Sequence, residues 1–188
     1  MRQLSNFFLI TLFIPFFFLS ACAEINAADP GREWTAYRAA SNSLVNPNFP
    51  AYSFEYPSYW IIEEGANSIT FASEAKLLND PPESLGAGQI IAGLSINEGL
   101  TPAELVESYT STLGSTLQFG ETNLVRLNGR PAAYQEGLNP ETSDAAFVLA
   151  VEMDEGLRGL LTARIAEGEL EKWEEILFKM AESLQVEE

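Results

Sequence analysis

The chain has 188 residues, with 10 Lys and Arg against 27 Asp and Glu, one Cys and no His, for a formal net charge of −17. That length suits one ordinary domain, and the missing imidazoles exclude His-based triads, His general bases and His-ligated zinc. Arg126, Arg130, Arg158 and Arg164 are each set among acidic neighbours, so DNA, RNA and anionic membrane surfaces repel this chain and nucleic acid is not an expected partner.

The first residues read MRQLSNFFLITLFIPFFFLSAC: Arg2, then an apolar run from Phe7 to Leu19. The run is shorter than the about 20 residues of a membrane span and fits the h-region of an export signal. It ends in Leu19-Ser20-Ala21-Cys22, which resembles the bacterial lipobox. The resemblance implies a signal peptide over 1–21 and Cys22 as the lipid attachment site, carrying diacylglyceryl and an N-acyl group. Membrane affinity grows by about 0.8 kcal/mol per buried CH₂, so several chains on one residue hold a soluble domain firmly, and membrane lipid is the first expected partner. Ala23 stands where an Asp favours retention at the inner membrane. The expected location is therefore extracytoplasmic: the outer membrane in a cell with two membranes, otherwise the outer face of the cell membrane. No second thiol remains for a disulfide, so stability must come from an ordinary core.

Residues 22–50 are rich in Ala, Asn, Ser and Pro without a sustained hydrophobic period, and read as the lipidated N-terminus and a flexible linker. Within them Trp34 and Tyr37 either dock on the domain or the bilayer interface, or sit on a short helix over Glu33–Ala40. The domain proper is expected over 51–188. It opens with a strand in which Tyr52, Phe54 and Tyr56 share a face, ended by Pro57. Trp60-Ile61-Ile62 and Ser68–Ser73 continue as an antiparallel meander. Residues 74–88, with Asn79-Asp80-Pro81-Pro82 and Gly86-Ala87-Gly88, form a long turn-rich connection expected to be mobile. Gln89–Asn97 lacks charge on both faces and belongs at the centre of the sheet.

Thr101-Pro102-Ala103-Glu104 combines an N-cap, Pro at N1 and Glu at N3, so a helix starts there, with Leu105, Tyr109, Thr112, Leu113 and Leu117 as its expected inner stripe. Glu121–Leu127 and Ala132–Glu136 read as strands reversed at Asn128-Gly129, with Pro131 opening the second. Ala145–Met153 and Leu157–Ile165 make a stronger hairpin turned at Asp154-Glu155-Gly156. The last element is a helix over Gly168–Leu184 with Leu170, Trp173, Leu177, Met180, Ala181 and Leu184 on one stripe and a Glu175–Lys179 pair outside. Seven or eight strands and two principal helices, not alternating, predict an α+β class.

The order of these signals resembles the PsbP/Mog1-like superfamily over residues 51–185. The matching pieces are Tyr52-Ser53-Phe54-Glu55-Tyr56-Pro57-Ser58-Tyr59-Trp60, Ile69-Thr70-Phe71-Ala72-Ser73, Leu100-Thr101-Pro102-Ala103-Glu104-Leu105, Gly129-Arg130-Pro131-Ala132-Ala133-Tyr134 and Trp173-Glu174-Glu175-Ile176-Leu177. The resemblance implies an α/β/α sandwich around a mainly antiparallel sheet and is nearest to the short bacterial lipoproteins of that type. Other members are photosystem II subunits and a nuclear-transport factor. This chain lacks the basic surface and histidines of the photosystem subunit, so those partners are not carried over.

No phosphate loop, His/Cys zinc site or EF-hand spacing is present in the sequence. Glu63-Glu64 and Asp154-Glu155 read as hydrated turn or strand-end residues, so no catalytic residue, metal ligand or cofactor is assigned and the chain is not expected to be an enzyme. The leading expectation is a noncatalytic module that binds or supports a protein partner through Lys76–Gly88 and the aromatics Tyr56, Tyr59 and Trp60, with core packing as the competing role of Trp60. The alternatives are a small-ligand or divalent-cation site in an acidic pocket and a carboxylate-based hydrolase.

Overall fold

The computed structural model describes residues 33–187; the export signal and Cys22 lie outside them. In chain order the elements are β1 (Trp34–Ala39), β2 (Tyr52–Pro57), β3 (Ile61–Gly65), β4 (Ser68–Ala72), α1 (Ala75–Asn79), β5 (Ile90–Glu98), α2 (Pro102–Leu113), β6 (Gln118–Phe119), β7 (Asn123–Leu127), β8 (Arg130–Leu138), β9 (Ala145–Asp154), β10 (Leu157–Ile165), α3 (Leu170–Ser183) and β11 (Gln185–Val186). The main sheet runs β3-β4-β5-β10-β9-β8-β6, with β7 also paired to β8, and a smaller sheet runs β1-β2-β11. Every ladder among the described residues is antiparallel. The α+β class and the sandwich around an antiparallel sheet hold.

The segment Trp34–Ala39 corrects the linker and helix readings: it is a strand paired along its length with β2. Its own sequence carries no clean alternation: Trp34 and Tyr37, three positions apart and so on opposite faces, are both half-buried against the core. Tyr37 lies 5.3 Å from the Phe54 ring, and its hydroxyl donates to Glu64 Oε1 at 2.6 Å. The following loop is also fixed, with Val45 and Asn46 buried and Asn46 Nδ2 donating to the Pro50 carbonyl. The folded body therefore begins well before residue 51.

β5, β10 and β9 form the middle of the main sheet, and both of their faces need cover. On one face Ile90, Leu94, Leu161, Ile165, Phe147 and Leu149 pack against α3 and β2. Helix α3 presents Trp173, Ile176, Leu177, Met180 and Ala181, at the spacing expected of an amphipathic helix. Lys179, expected beside Glu175, instead stands 4.0 Å over the Trp34 ring. The carbonyls left open at the end of α3 are met by Arg130, which donates to Ala181 and Glu182 at 3.0 Å and also to Leu184. Asn128 and Gly129, both with positive φ, make the tight reversal that brings Arg130 there.

On the opposite face α2 covers β8, β9 and β10 through Leu105 and Val106, against Ala133, Val148, Ala150 and Leu160. The capping box forms as the sequence specifies: Thr101 N donates to Glu104 Oε2 at 2.9 Å, and Glu104 N donates to Thr101 Oγ1 at 3.3 Å. The inner stripe differs from the expected one. Val106 and Thr110 are buried and Thr112 is exposed, because the Thr110 hydroxyl donates to its own helix at Val106 O and no longer needs water.

This packing can be tested at two positions. A Cβ at Gly159 would stand 2.0 Å from Leu184 Cδ2, so Gly159→Ala overpacks the joint between β10 and the end of α3 and should cost about 1–3 kcal/mol in urea unfolding. Burial, then the neighbouring Glu136 and Glu171 carboxylates, push the Glu174 pKa up. A raised folded-state value means ionised Glu174 opposes folding above its pKa and is harmless when protonated. Glu174→Gln should therefore raise Tm at pH 7, with the gain vanishing below about pH 4.

Candidate functional site

Trp60, proposed for an interaction surface, is a core residue: it is 3% exposed, with ring centroids 6.0 Å from Phe71 and 5.9 Å from Trp173. The turn after β2 puts it there, since Trp60 N donates to Pro57 O at 3.0 Å and folds the indole back over the sheet. Tyr56 is half-buried against Phe54 and Phe71, and Tyr59 is half-buried against the same core. The three aromatics thus form no common exposed platform. Tyr52, beneath them, is buried without a hydrogen-bond partner for its hydroxyl, and burial pushes its pKa up to about 12.

The Lys76–Gly88 segment is held at several points, contrary to the mobile loop expected. It contains most of α1, whose Leu77 packs with Leu85, Ala72 and Ala166. Asp144, with its side chain 1% exposed, receives Arg164 Nε and Nη2 at 2.6 Å and the Leu85 amide at 3.1 Å. Arg164 also donates to the carbonyls of Pro82, at 2.9 Å, and Glu83. Glu169 accepts from the Gly88 amide and from the Trp173 indole. By sequence Arg164 falls among surface charges and Asp144 has no role. The two are 20 positions apart, and only the β9–β10 register brings them together.

Arg164 and Asp144 close one end of a cavity of about 330 Å³ on the α2 side of the sheet. Its floor is formed by two cross-strand rows: Thr70, Gly93, Thr162 and Val148 in one, Ile91, Arg164 and Ala146 in the other. Its wall comes from Tyr109 and Leu113 of α2 and from Leu117 and Phe119 beyond it. Phe119 can lie close because Gly137 has no side chain: a Cβ there would sit 2.7 Å from its ring. The lining is mainly apolar with hydroxyls on the floor, a composition suited to binding.

The other expected groups lie elsewhere. Glu63 and Glu64 are exposed on the edge strand β3, where Glu64 is tied to Tyr37, and Asp154 Oδ1 accepts the amide of its neighbour Glu155 in the β9–β10 turn. Among the described residues no three His, Cys, Asp or Glu side chains form a group able to hold a metal, and no helix is long and apolar enough to cross a membrane. The eight Lys and Arg of the described residues are all engaged, by carboxylates at Arg38, Lys76, Arg158 and Arg164, by carbonyls at Arg126 and Arg130, and by indole rings at Lys172 and Lys179.

An antiparallel sheet with helices on both faces, and a smaller sheet packed beside α3, defines a PsbP-like fold. Among solved structures the chain is similar to cyanobacterial PsbP (CyanoP) from Synechocystis sp. PCC 6803, with a TM-score of 0.50 at 15% identity, covering 90% of this chain and 99% of that one. It is similar also to LpqN, a protein involved in cell envelope biogenesis of Mycobacterium tuberculosis, with a TM-score of 0.50 at 18% identity over 84% of this chain and 93% of that one. No protein-family model matches the sequence, and no curated protein matches it.

Arg164→Ala should leave Asp144 buried without its counter-charge. The expected cost is about 3–5 kcal/mol, accompanied by faster hydrogen exchange at the Leu85 amide.

Proposed function

We propose that this chain is a noncatalytic binding module displayed outside the cytoplasm and held on a membrane through acylated Cys22. The observation that carries the reading is the lined cavity beside α2, in a domain whose buried acid, Asp144, is fully used in a structural ion pair. Such a site offers shape and hydrogen bonds without a poised nucleophile or base. The fold shared with LpqN, a protein of cell envelope biogenesis, supports an envelope setting. The protein-partner version of the reading rests on Tyr56 and Tyr59, since Trp60 is spent in the core. The cavity favours the small-ligand version. Its lining is apolar and its carboxylate is paired, so it is not the acidic pocket a divalent cation would select.

Cys22→Ser should abolish incorporation of labelled fatty acid and move the domain from the membrane to the soluble fraction. Membrane retention of an unlabelled Cys22→Ser chain would refute the anchor. Chemical crosslinking in cells that express the acylated chain tests the protein-partner version, which requires one reproducible adduct.

A further inference from the structure

Gly93 stands in the middle of β5, in the row Thr70–Gly93–Thr162 that crosses the cavity floor. A glycine inside a central strand weakens it, and three causes account for most of them: a bulge, a backbone pressed against it, or a ligand approaching closely. The register on both sides of Gly93 is regular; the single irregularity on β10 lies at Leu157/Arg158. Its φ is not in the left-handed region. The nearest backbone atom to a Cβ at this position would be Ile69 O at 3.9 Å, an ordinary contact, and the nearest side-chain atom would be Thr162 Oγ1 at 3.1 Å. Neither the chain path nor a crossing backbone crowds the position; the cross-strand Thr162 hydroxyl does, since 3.1 Å is closer than an ordinary Cβ contact. What its bare Cα does is leave room beside the Thr162 hydroxyl, in the same row as Thr70, at the bottom of a cavity whose wall is Tyr109, Leu113, Leu117 and Phe119.

Charge narrows what fits. Arg164 and Asp144 at the cavity's end neutralise one another, and Arg164 has its remaining donors on Pro82 and Glu83, so an anionic head finds no counter-charge. The surrounding chain, at −17, repels anions further. Asp144 is equally closed to a cation by its bonds to Arg164 and Leu85.

We propose that this cavity is the binding site for a neutral amphiphile, an uncharged apolar body bearing a hydroxyl or similar head, and that Gly93 sets its size. The hydroxyl head enters the space at Gly93, in the row of Thr70 and Thr162, and the apolar body lies along Leu113, Leu117 and Phe119. The proposal rests on the binding-module reading and names the ligand class for it. Each threonine hydroxyl both donates and accepts, so the pair reads a hydroxyl and leaves a carboxylate desolvated beside the Asp144–Arg164 pair without gain.

The test uses the full exported chain, with N-phenyl-1-naphthylamine as a neutral fluorescent probe and 1-decanol or decanoate as competitor at pH 7. The proposal expects saturable one-to-one probe binding, with decanol displacing the probe at a concentration at least tenfold lower than decanoate. Gly93→Val puts a side chain on the cavity floor against Thr162 Oγ1, so it should weaken probe binding at least tenfold in a chain that still unfolds cooperatively. Thr162→Val keeps the shape and removes a hydroxyl, and should weaken decanol at least threefold more than it weakens the probe. Absence of saturable probe binding, equal displacement by decanoate, or full binding in a folded Gly93→Val chain would each overturn the proposal. If Gly93→Val does not fold, the competitor pair and Thr162→Val decide. Failure of the probe in a chain still anchored through Cys22 and crosslinked to one protein rejects this site and leaves the module reading standing, whereas a chain never found on membranes rejects the anchored module irrespective of the probe.

Discussion

The structure depends on one constraint: β5, β10 and β9 carry apolar side chains on both faces, Ile90, Leu161 and Phe147 on one and Ile91, Leu160 and Val148 on the other, so a layer must lie on each side of the sheet. Strands are about 4.8 Å apart and a helix is about 10 Å across, so one helix covers only two or three strands. On the α3 face the shortfall is made good by β2, whose Phe54 meets Phe71 edge-on at 5.7 Å. On the other face α2 reaches β8, β9 and β10 and stops, with α1 covering a corner through Leu77. The cavity is what remains along the open flank of α2.

Its end is closed by electrostatics and not by apolar packing. Asp144, at 1% exposure, has Arg164 as its counter-charge, and the same guanidinium reaches across to the Pro82 and Glu83 carbonyls. One ion pair thus fixes the strand pair, the Lys76–Gly88 segment and the rim of the site together. Arg130 plays the parallel part on the far face, where it ends α3 and ties it to the β7–β8 turn. A strongly acidic chain has few cations, and each of those among its described residues has a partner within the chain.

Much of the fold was legible because it rests on local rules. The Thr101–Glu104 box, the Asn128-Gly129 reversal, the β9–β10 hairpin and the stripe around Trp173 all appear where the sequence placed them. The misreadings share a cause. β1 has no pattern of its own and becomes a strand because β2 offers it an edge. Trp60, for which core packing stood beside a surface role, takes the core one, because the turn after β2 folds its indole back over the sheet. Residues 74–88 read as mobile because the groups that hold them, Asp144, Arg164 and Glu169, come from strands and a loop 59 to 82 positions away.

The sequence by itself determined the class of fold, the acidity, the lack of imidazole chemistry and the presence of Leu19-Ser20-Ala21-Cys22, since each depends on composition or on residues within a few positions of one another. Only the tertiary structure decided where a ligand could sit. Thr70, Gly93 and Thr162 belong to three strands far apart in the chain and become neighbours through the registers of β4, β5 and β10. A glycine in a strand has no visible purpose until its neighbours across the ladders are known, because what its missing side chain avoids is a crowded contact with Thr162 Oγ1.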